Sequence, residues 1–212
     1  MIRIVVADDH AIVREGLKRI VSAADDMQLA GEAADGTEVM QRVRELTFDV
    51  LMLDLSMPGR SGMELIKLVH AEKPKLRILV LSMHQELQYA VRAIKSGASG
   101  YLTKESAPAL LEHAIRKLAA GGAFISAEVA EQLALGAMPG SQTLPHESLS
   151  NREFEVFRLL VVGVSVTDIG TRLKLSVKTA SSHKANLMQK MGMHNQSELI
   201  RYALKHGLTD LL

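Results

Sequence analysis

Within the first 118 residues, five short apolar runs alternate with stretches whose apolar residues recur at three- and four-residue spacing. This alternation constrains the chain more than any other feature, because strand and helix signals repeated at short intervals fold as a parallel sheet with crossover helices. Ile2 to Ala7 reads as a first strand ending in Asp8-Asp9, and Ile12, Val13, Gly16, Leu17, Ile20 and Val21 form the helical stripe after it. Leu29 to Ala33 is a weaker second strand, followed by a helix carrying Val39, Met40, Val43 and Leu46. Val50 to Leu53 is continuously apolar, as in a strand buried on both faces, and Asp54 ends it before a Pro58-Gly59 turn. A helix with Met63, Leu65, Ile66 and Val69 follows, then a strand from Arg77 to Ser82 and a helix around Tyr89 to Ile94. Tyr101 to Lys104 makes a short fifth strand, and Ala109 to Leu118 closes the last unit.

Right-handed crossovers wind such units into an α/β, doubly wound, five-stranded parallel sheet. The flavodoxin-like order 2-1-3-4-5 sets strands 1 and 3 side by side, and chemistry in these sheets gathers at the carboxyl ends of the strands. Asp8, Asp9 and Asp54 then converge at one edge. Three carboxylates that close repel one another, and a divalent cation relieves the repulsion. Oxygen ligands with room for water suit Mg2+. Ser82 and Lys104 end strands 4 and 5, so both point at the same edge and could contact a phosphoryl group on Asp54.

Charge divides the chain. Residues 1–148 hold 16 Lys and Arg against 19 Asp and Glu, whereas residues 149–212 hold 9 against 5, so an acidic body carries a basic tail suited to a polyanion. With no cysteine there is no disulfide framework, thiolate metal site or thiol nucleophile. No apolar run approaches the roughly 20 residues of a membrane span, and the start reads as a strand, so a cytoplasmic protein is expected. Ser126 to Leu135 reads as a helix and Gly136 to Ser148 as a linker. Four helices follow. Ser150-x-x-Glu153, Ser165-x-x-Asp168 and Asn195-x-x-Glu198 are capping sequences, and Ser176 caps the fourth helix. The expected division is therefore 1–122, a linker with a helix over 123–148, and 149–212.

The first of these parts resembles the receiver domain of two-component response regulators. Asp8-Asp9, Asp54 in Leu53-Asp54-Leu55-Ser56-Met57-Pro58-Gly59, Ser82, and Gly100-Tyr101-Leu102-Thr103-Lys104 carry the resemblance, in order and on the expected elements. It implies that Asp54 takes a phosphoryl group from the phosphohistidine of a sensor histidine kinase. Asp8, Asp9, Asp54 and the Ser56 carbonyl would hold Mg2+, Lys104 would pair with the phosphate, and Ser82 would move toward it, with the Tyr101 rotamer following. Glu105 follows the lysine where many receivers have proline.

Between Ile169 and Ser197 there is no acid, while Arg172, Lys174, Lys178, Lys184 and Lys190 are present. Val166 to Leu173, a turn at Lys174-Leu175-Ser176, and Val177 to Met191 have the layout of a helix-turn-helix, in which the second helix enters a major groove. On that helix Val177, Ala180, Leu187 and Met191 are expected to pack inward, with Lys178, Ser181, Ser182, Ala185 and Gln189 opposite. Leu149-Ser150-Asn151-Arg152-Glu153 and Ser176-Val177-Lys178-Thr179-Ala180-Ser181-Ser182-His183-Lys184 resemble the LuxR-type DNA-binding domain of the NarL/FixJ class. The resemblance implies phosphate contacts from Lys178, Thr179 and Lys190, with Ser181, Ser182 and Ala185 nearest the bases. Lys184, at a commonly apolar position, reads as an extra DNA contact, and His183 either touches DNA or packs on the helix surface.

These parts combine into a regulator whose phosphorylation at Asp54 controls dimerisation, promoter binding and so transcription. A sensor histidine kinase, double-stranded promoter DNA, RNA polymerase and a second copy of the chain are the implied partners. An alternative coupling keeps the tail buried against the receiver until phosphorylation releases it. Two rivals stand beside this reading. One is an aspartate-nucleophile hydrolase resembling the haloacid dehalogenase phosphatases, which needs an acid two residues after the nucleophile, where Ser56 stands. The other is a constitutive DNA-binding protein with an unused receiver.

Overall fold

The computed structural model describes residues 1–57, 62–83, 87–106, 108–137 and 144–208. The Pro58-Gly59 turn, linker residues 138–143 and the last four residues lie outside the described residues. The chain forms two compact units, Met1–Ala134 and Leu135–Leu212.

In the first unit, β1 (Ile2–Ala7), β2 (Met27–Ala33), β3 (Val50–Asp54), β4 (Arg77–Ser82) and β5 (Gly100–Thr103) form one sheet in the order β2-β1-β3-β4-β5. All four pairings are parallel, which is the expected topology. β3 sits at the centre with every residue buried, which is why its sequence is apolar without alternation. Ile4, Val6, Val50, Met52, Leu79 and Leu81 face one side, packed under α1 (Ala11–Ala23) and α5 (Pro108–Ala119). The intervening Val5, Leu51, Leu53, Ile78 and Val80 are as deeply buried and point to the other side. There α2 (Gly36–Glu45), α3 (Gly62–Glu72) and α4 (Leu87–Lys95) supply Val39, Val43, Leu65, Ile66, Val69 and Ala93.

Two strands differ from expectation. β2 begins at Met27, which is buried and pairs with Ile2. β5 begins at Gly100, so Lys104 lies one residue beyond it. After α5 the chain returns along the edge of β5, where Tyr101 N donates to Phe124 O at 3.0 Å and Phe124 N to Ser99 O at 3.0 Å. α6 (Ala127–Ala137) follows.

The second unit has a 3-10 turn (Pro145–Ser148) and the helices α7 (Asn151–Val161), α8 (Val166–Arg172), α9 (Val177–Met191) and α10 (Gln196–Lys205). Phe154, Phe157, Leu160, Ile169, Ala180, Leu187, Leu199 and Ala203 form its buried interior. All four expected N-caps form, but only Ser150 with Glu153 makes both bonds of a capping box. At Asn195 the carboxylate of Glu198 accepts instead from His194 N at 2.7 Å. The buried His146 places Nδ1 2.8 Å from the Tyr202 hydroxyl, tying the 3-10 turn to α10. Among the described residues no helix is long and apolar enough to cross a membrane.

Candidate functional sites: an acidic pocket and a basic helix

Because β1 and β3 are neighbours, Ala7 pairs with Leu53, and the residues that follow each strand leave the sheet together. Asp8 and Asp54 are almost wholly buried at that edge, and Asp9 is exposed. Each buried carboxylate is aimed by its own loop: Asp8 Oδ1 accepts from His10 N at 2.8 Å, and Asp54 Oδ1 from Ser56 N at 3.0 Å. Their other oxygens face Lys104, whose Nζ lies 2.6 Å from Asp8 Oδ2 and 2.9 Å from Asp54 Oδ2. Those two oxygens are buried, and the Lys104 ammonium at these distances compensates their charge. Burial favours the neutral amine of Lys104, but Asp54 and then Asp8 outweigh it and hold its pKa above the usual lysine value.

The fully buried Ser82 closes β4, paired with Thr103, and its carbonyl accepts from Lys104 N at 2.8 Å. Tyr101 is half-buried on β5, among α4 and α6 side chains. Asp8, Asp9, Asp54, Ser82 and Lys104 therefore share one edge, while Tyr101 stands behind it. No cis peptide occurs among the described residues, so Lys104-Glu105 is trans.

Two residues of this edge escaped the sequence reading. His10 Nδ1 lies 2.9 Å from Asp9 Oδ1, and Arg14 Nη1 donates to the Asp8 carbonyl at 2.7 Å, one turn into α1. The signal for both was their position just after the acidic pair. Ligand atoms of Asp8, Asp9, His10 and Asp54 all lie within 4.8 Å of one another, so the cluster could bind a metal ion. Three carboxylates, two of them buried, fit a hard divalent ion, with the exposed His10 steadying Asp9.

In the second unit α9 packs on α7 and α8 through the buried Ala180, Leu187 and Met191. Val177 does not join them. It is 49% exposed, because the first residue of the helix stands beyond the turn that the interior grips. Lys178, Thr179, Ser181, Ser182, Ala185, Gln189 and Lys190 are exposed, and His183 and Lys184 are partly so. Ser182 Oγ donates back to the Lys178 carbonyl at 3.0 Å, and the Thr179 hydroxyl lies 2.7 Å from that of Ser176. Lys190 Nζ meets Glu153 Oε2 at 2.7 Å, and Arg152 Nη2 donates to the Leu173 carbonyl at 2.6 Å. α7 thus holds the end of α8 and the last turn of α9. Glu153 is desolvated, which raises a carboxyl pKa, yet Lys190 and the Ser150 cap bonds hold it below the ordinary value of 4.5.

Residues 4–116 match the response regulator receiver domain family, and residues 147–203 match the luxR family of bacterial regulatory proteins. The chain belongs to the NarL/FixJ class of response regulators. Response regulator UvrY of Escherichia coli K12 is 33% identical over 211 residues, covering 99% of this chain and 97% of that protein. Oxygen regulatory protein NreC of Staphylococcus epidermidis is 38% identical over 216 aligned positions, covering 98% of this chain and 99% of the relative. Among solved structures, RcsB of Salmonella enterica serovar Typhimurium, bound to promoter rprA in the presence of phosphomimetic BeF3-, superposes with a TM-score of 0.65. It is 31% identical, over 95% of this chain and 98% of RcsB. The two family matches make this response regulator a DNA-binding transcriptional regulator rather than an enzyme of the usual kind.

Proposed function

We propose that Asp54 is the phosphoacceptor of this regulator and that its phosphorylation by a sensor histidine kinase controls promoter binding by the second unit. One observation carries this reading: a buried carboxylate at the end of the central strand, with Oδ1 fixed by Ser56 N and Oδ2 held 2.9 Å from an ammonium. An Asp54 oxygen attacks phosphorus in line, the new O–P bond forms as the N–P bond of the phosphohistidine breaks, and the electron pair stays on the imidazole, which takes up a proton. Lys104 meets the charge on the transferred oxygens, and Ser82 donates to one of them. Asp8, Asp9, Asp54 and the Ser56 carbonyl would hold Mg2+, which when bound neutralises charge on the phosphoryl oxygens. Tyr101 follows Ser82.

On DNA, Lys178, Thr179, Lys184 and Lys190 serve the backbone, while Ser181, Ser182 and Ala185 lie nearest the bases. Lys190 would leave Glu153 to do so, and Thr179 would turn its hydroxyl from Ser176. Short side chains offer few donors, so selectivity leans on thymine methyl groups, water and DNA shape. The phosphorylated chain binds as a homodimer on a two-fold repeated site, in the cytoplasm, and acts on transcription through RNA polymerase. In this reading residues 1–122 receive the signal, 123–148 link and 149–212 deliver the output.

Incubation with a small phosphodonor and Mg2+, followed by intact mass, tests the acceptor. One phosphoryl group is expected on the wild type, with none on Asp54→Asn and none in chelator. Labelling of Asp54→Asn, or continuous turnover of free phosphoesters, would overturn the reading.

A further inference from the structure

The amino ends of β4 and β5 lie at the opposite end of the sheet from Asp54. Three connections meet there: from α3 into Arg77, from α4 into Gly100, and onward from α5. Residues 73–77, 95–99 and 117–123 hold Lys73, Lys75, Arg77, Lys95 and Lys117 and no aspartate or glutamate, although residues 1–148 together carry more acids than bases. The two acids that adjoin this end are engaged elsewhere. Glu72 pairs with Arg44 at 3.3 Å, and Asp49, whose carbonyl accepts from Arg77 N, takes Arg3 N on its carboxylate at 2.8 Å.

A pocket of about 380 Å3 opens between these connections, within the range of small-molecule sites. Arg77 is half-buried, and its guanidinium reaches the turn after α5, where a Cβ on Gly121 would stand 3.5 Å from Nη2. His70, in the last turn of α3, lays its ring against the turn after α4, where a Cβ on Gly97 would come within 2.8 Å of it. Gly97 and Gly121 have φ of 112° and 91°, so both turns favour glycine and stay bare where the two side chains enter. Ser99 adds a hydroxyl, and the buried Leu76 and Ala98 add apolar wall. Among the described residues, no hydrogen bond or ion pair engages the Arg77 guanidinium, the His70 ring or the Ser99 hydroxyl.

We propose that this pocket binds a small phosphate monoester. A guanidinium fork alone satisfies a planar carboxylate, whereas a guanidinium, an imidazole N–H and a hydroxyl from three different segments suit the several acceptor oxygens of a phosphate. The lysines of the same connections add positive potential suited to a dianion. The volume exceeds what a lone phosphate fills, so the organic part of the ester lies against Leu76 and Ala98. The site uses no residue of the acidic pocket and none of α9.

The test titrates the full chain with adenosine 5′-monophosphate in chelator at fixed salt and reads backbone amide shifts by NMR. Saturable shifts at Gly97, Ser99 and Gly121 are expected, with a dissociation constant of about 1 mM or tighter. Inorganic phosphate should shift the same amides more weakly, and acetate and adenosine should leave them unmoved. Arg77→Gln, with the first unit's thermal transition retained, should weaken binding about tenfold or more. If that variant loses the transition, His70→Gln, at an exposed position of α3, decides, and an affinity equal to wild type overturns the site. Absence of saturation, or affinity unchanged in Arg77→Gln, also overturns it. Equal binding of acetate, adenosine or inorganic phosphate overturns the monoester. Duplex DNA that shifts these amides in wild type but not in Arg77→Gln would make this end a DNA contact and overturn the small ligand.

Discussion

Lys104 has two buried carboxylates within 3 Å of its ammonium, and it is their shared counter-charge. Lys104→Met should therefore leave Asp8 and Asp54 repelling one another and cost about 3 kcal/mol of unfolding free energy in chelator. Urea denaturation reads that loss, and added Mg2+ should restore part of it. An unchanged midpoint in chelator would show that the pair does not depend on the lysine. Glu153 makes the opposite kind of pair, in which a depressed carboxyl meets Lys190 across α7 and α9. Its folded pKa lies below 4.5, so its contribution is complete above that value and is lost as pH falls through the lowered one. The Tm difference between wild type and Glu153→Gln, worth about 1 kcal/mol at neutral pH, should vanish at acid pH. A difference that persists there would contradict the ion pair.

At the level of elements, the turn between α8 and α9 depends on Gly170. A Cβ there would stand 3.0 Å from the Leu175 carbonyl oxygen, a backbone atom that cannot swing aside. Gly170→Ala should lower the stability of the second unit by about 1–3 kcal/mol, seen as a lower thermal midpoint. On α9, Lys184→Ala should weaken binding to all DNA sequences and reduce the salt slope by about 1, and an unaffected slope would remove Lys184 from the phosphate contacts. What the sequence revealed about these elements follows from the range of the forces. β1, β3 and β4 were legible because strands buried on both faces must be apolar throughout, and Ala180, Leu187 and Met191 because helical spacing selects one face. Val177 was misplaced because periodicity continues to the end of a helix while its packing does not. Contacts without periodic signature stayed hidden: Lys190 with Glu153, 37 residues apart, and His146 with Tyr202, 56 apart. The helix after α5 was legible from Ser126 on, but its packing on α4 through the buried Val129 left no pattern to read.

For the whole molecule, the acidic unit and the basic unit divide the labour of a switch, one holding a phosphoryl group and the other a DNA backbone. The buried Asp54 lies in the first unit and the exposed face of α9 in the second, so the account requires that chemistry at one changes affinity at the other. Coupling free energies of this kind correspond to roughly 5- to 150-fold in affinity. The most direct test is promoter affinity of the full chain at fixed salt, with and without a small phosphodonor and Mg2+, for wild type and Asp54→Asn. The account predicts a gain of about tenfold for the wild type and none for Asp54→Asn. Equal affinities for both proteins under both conditions would make this a constitutive DNA-binding protein and contradict the switch.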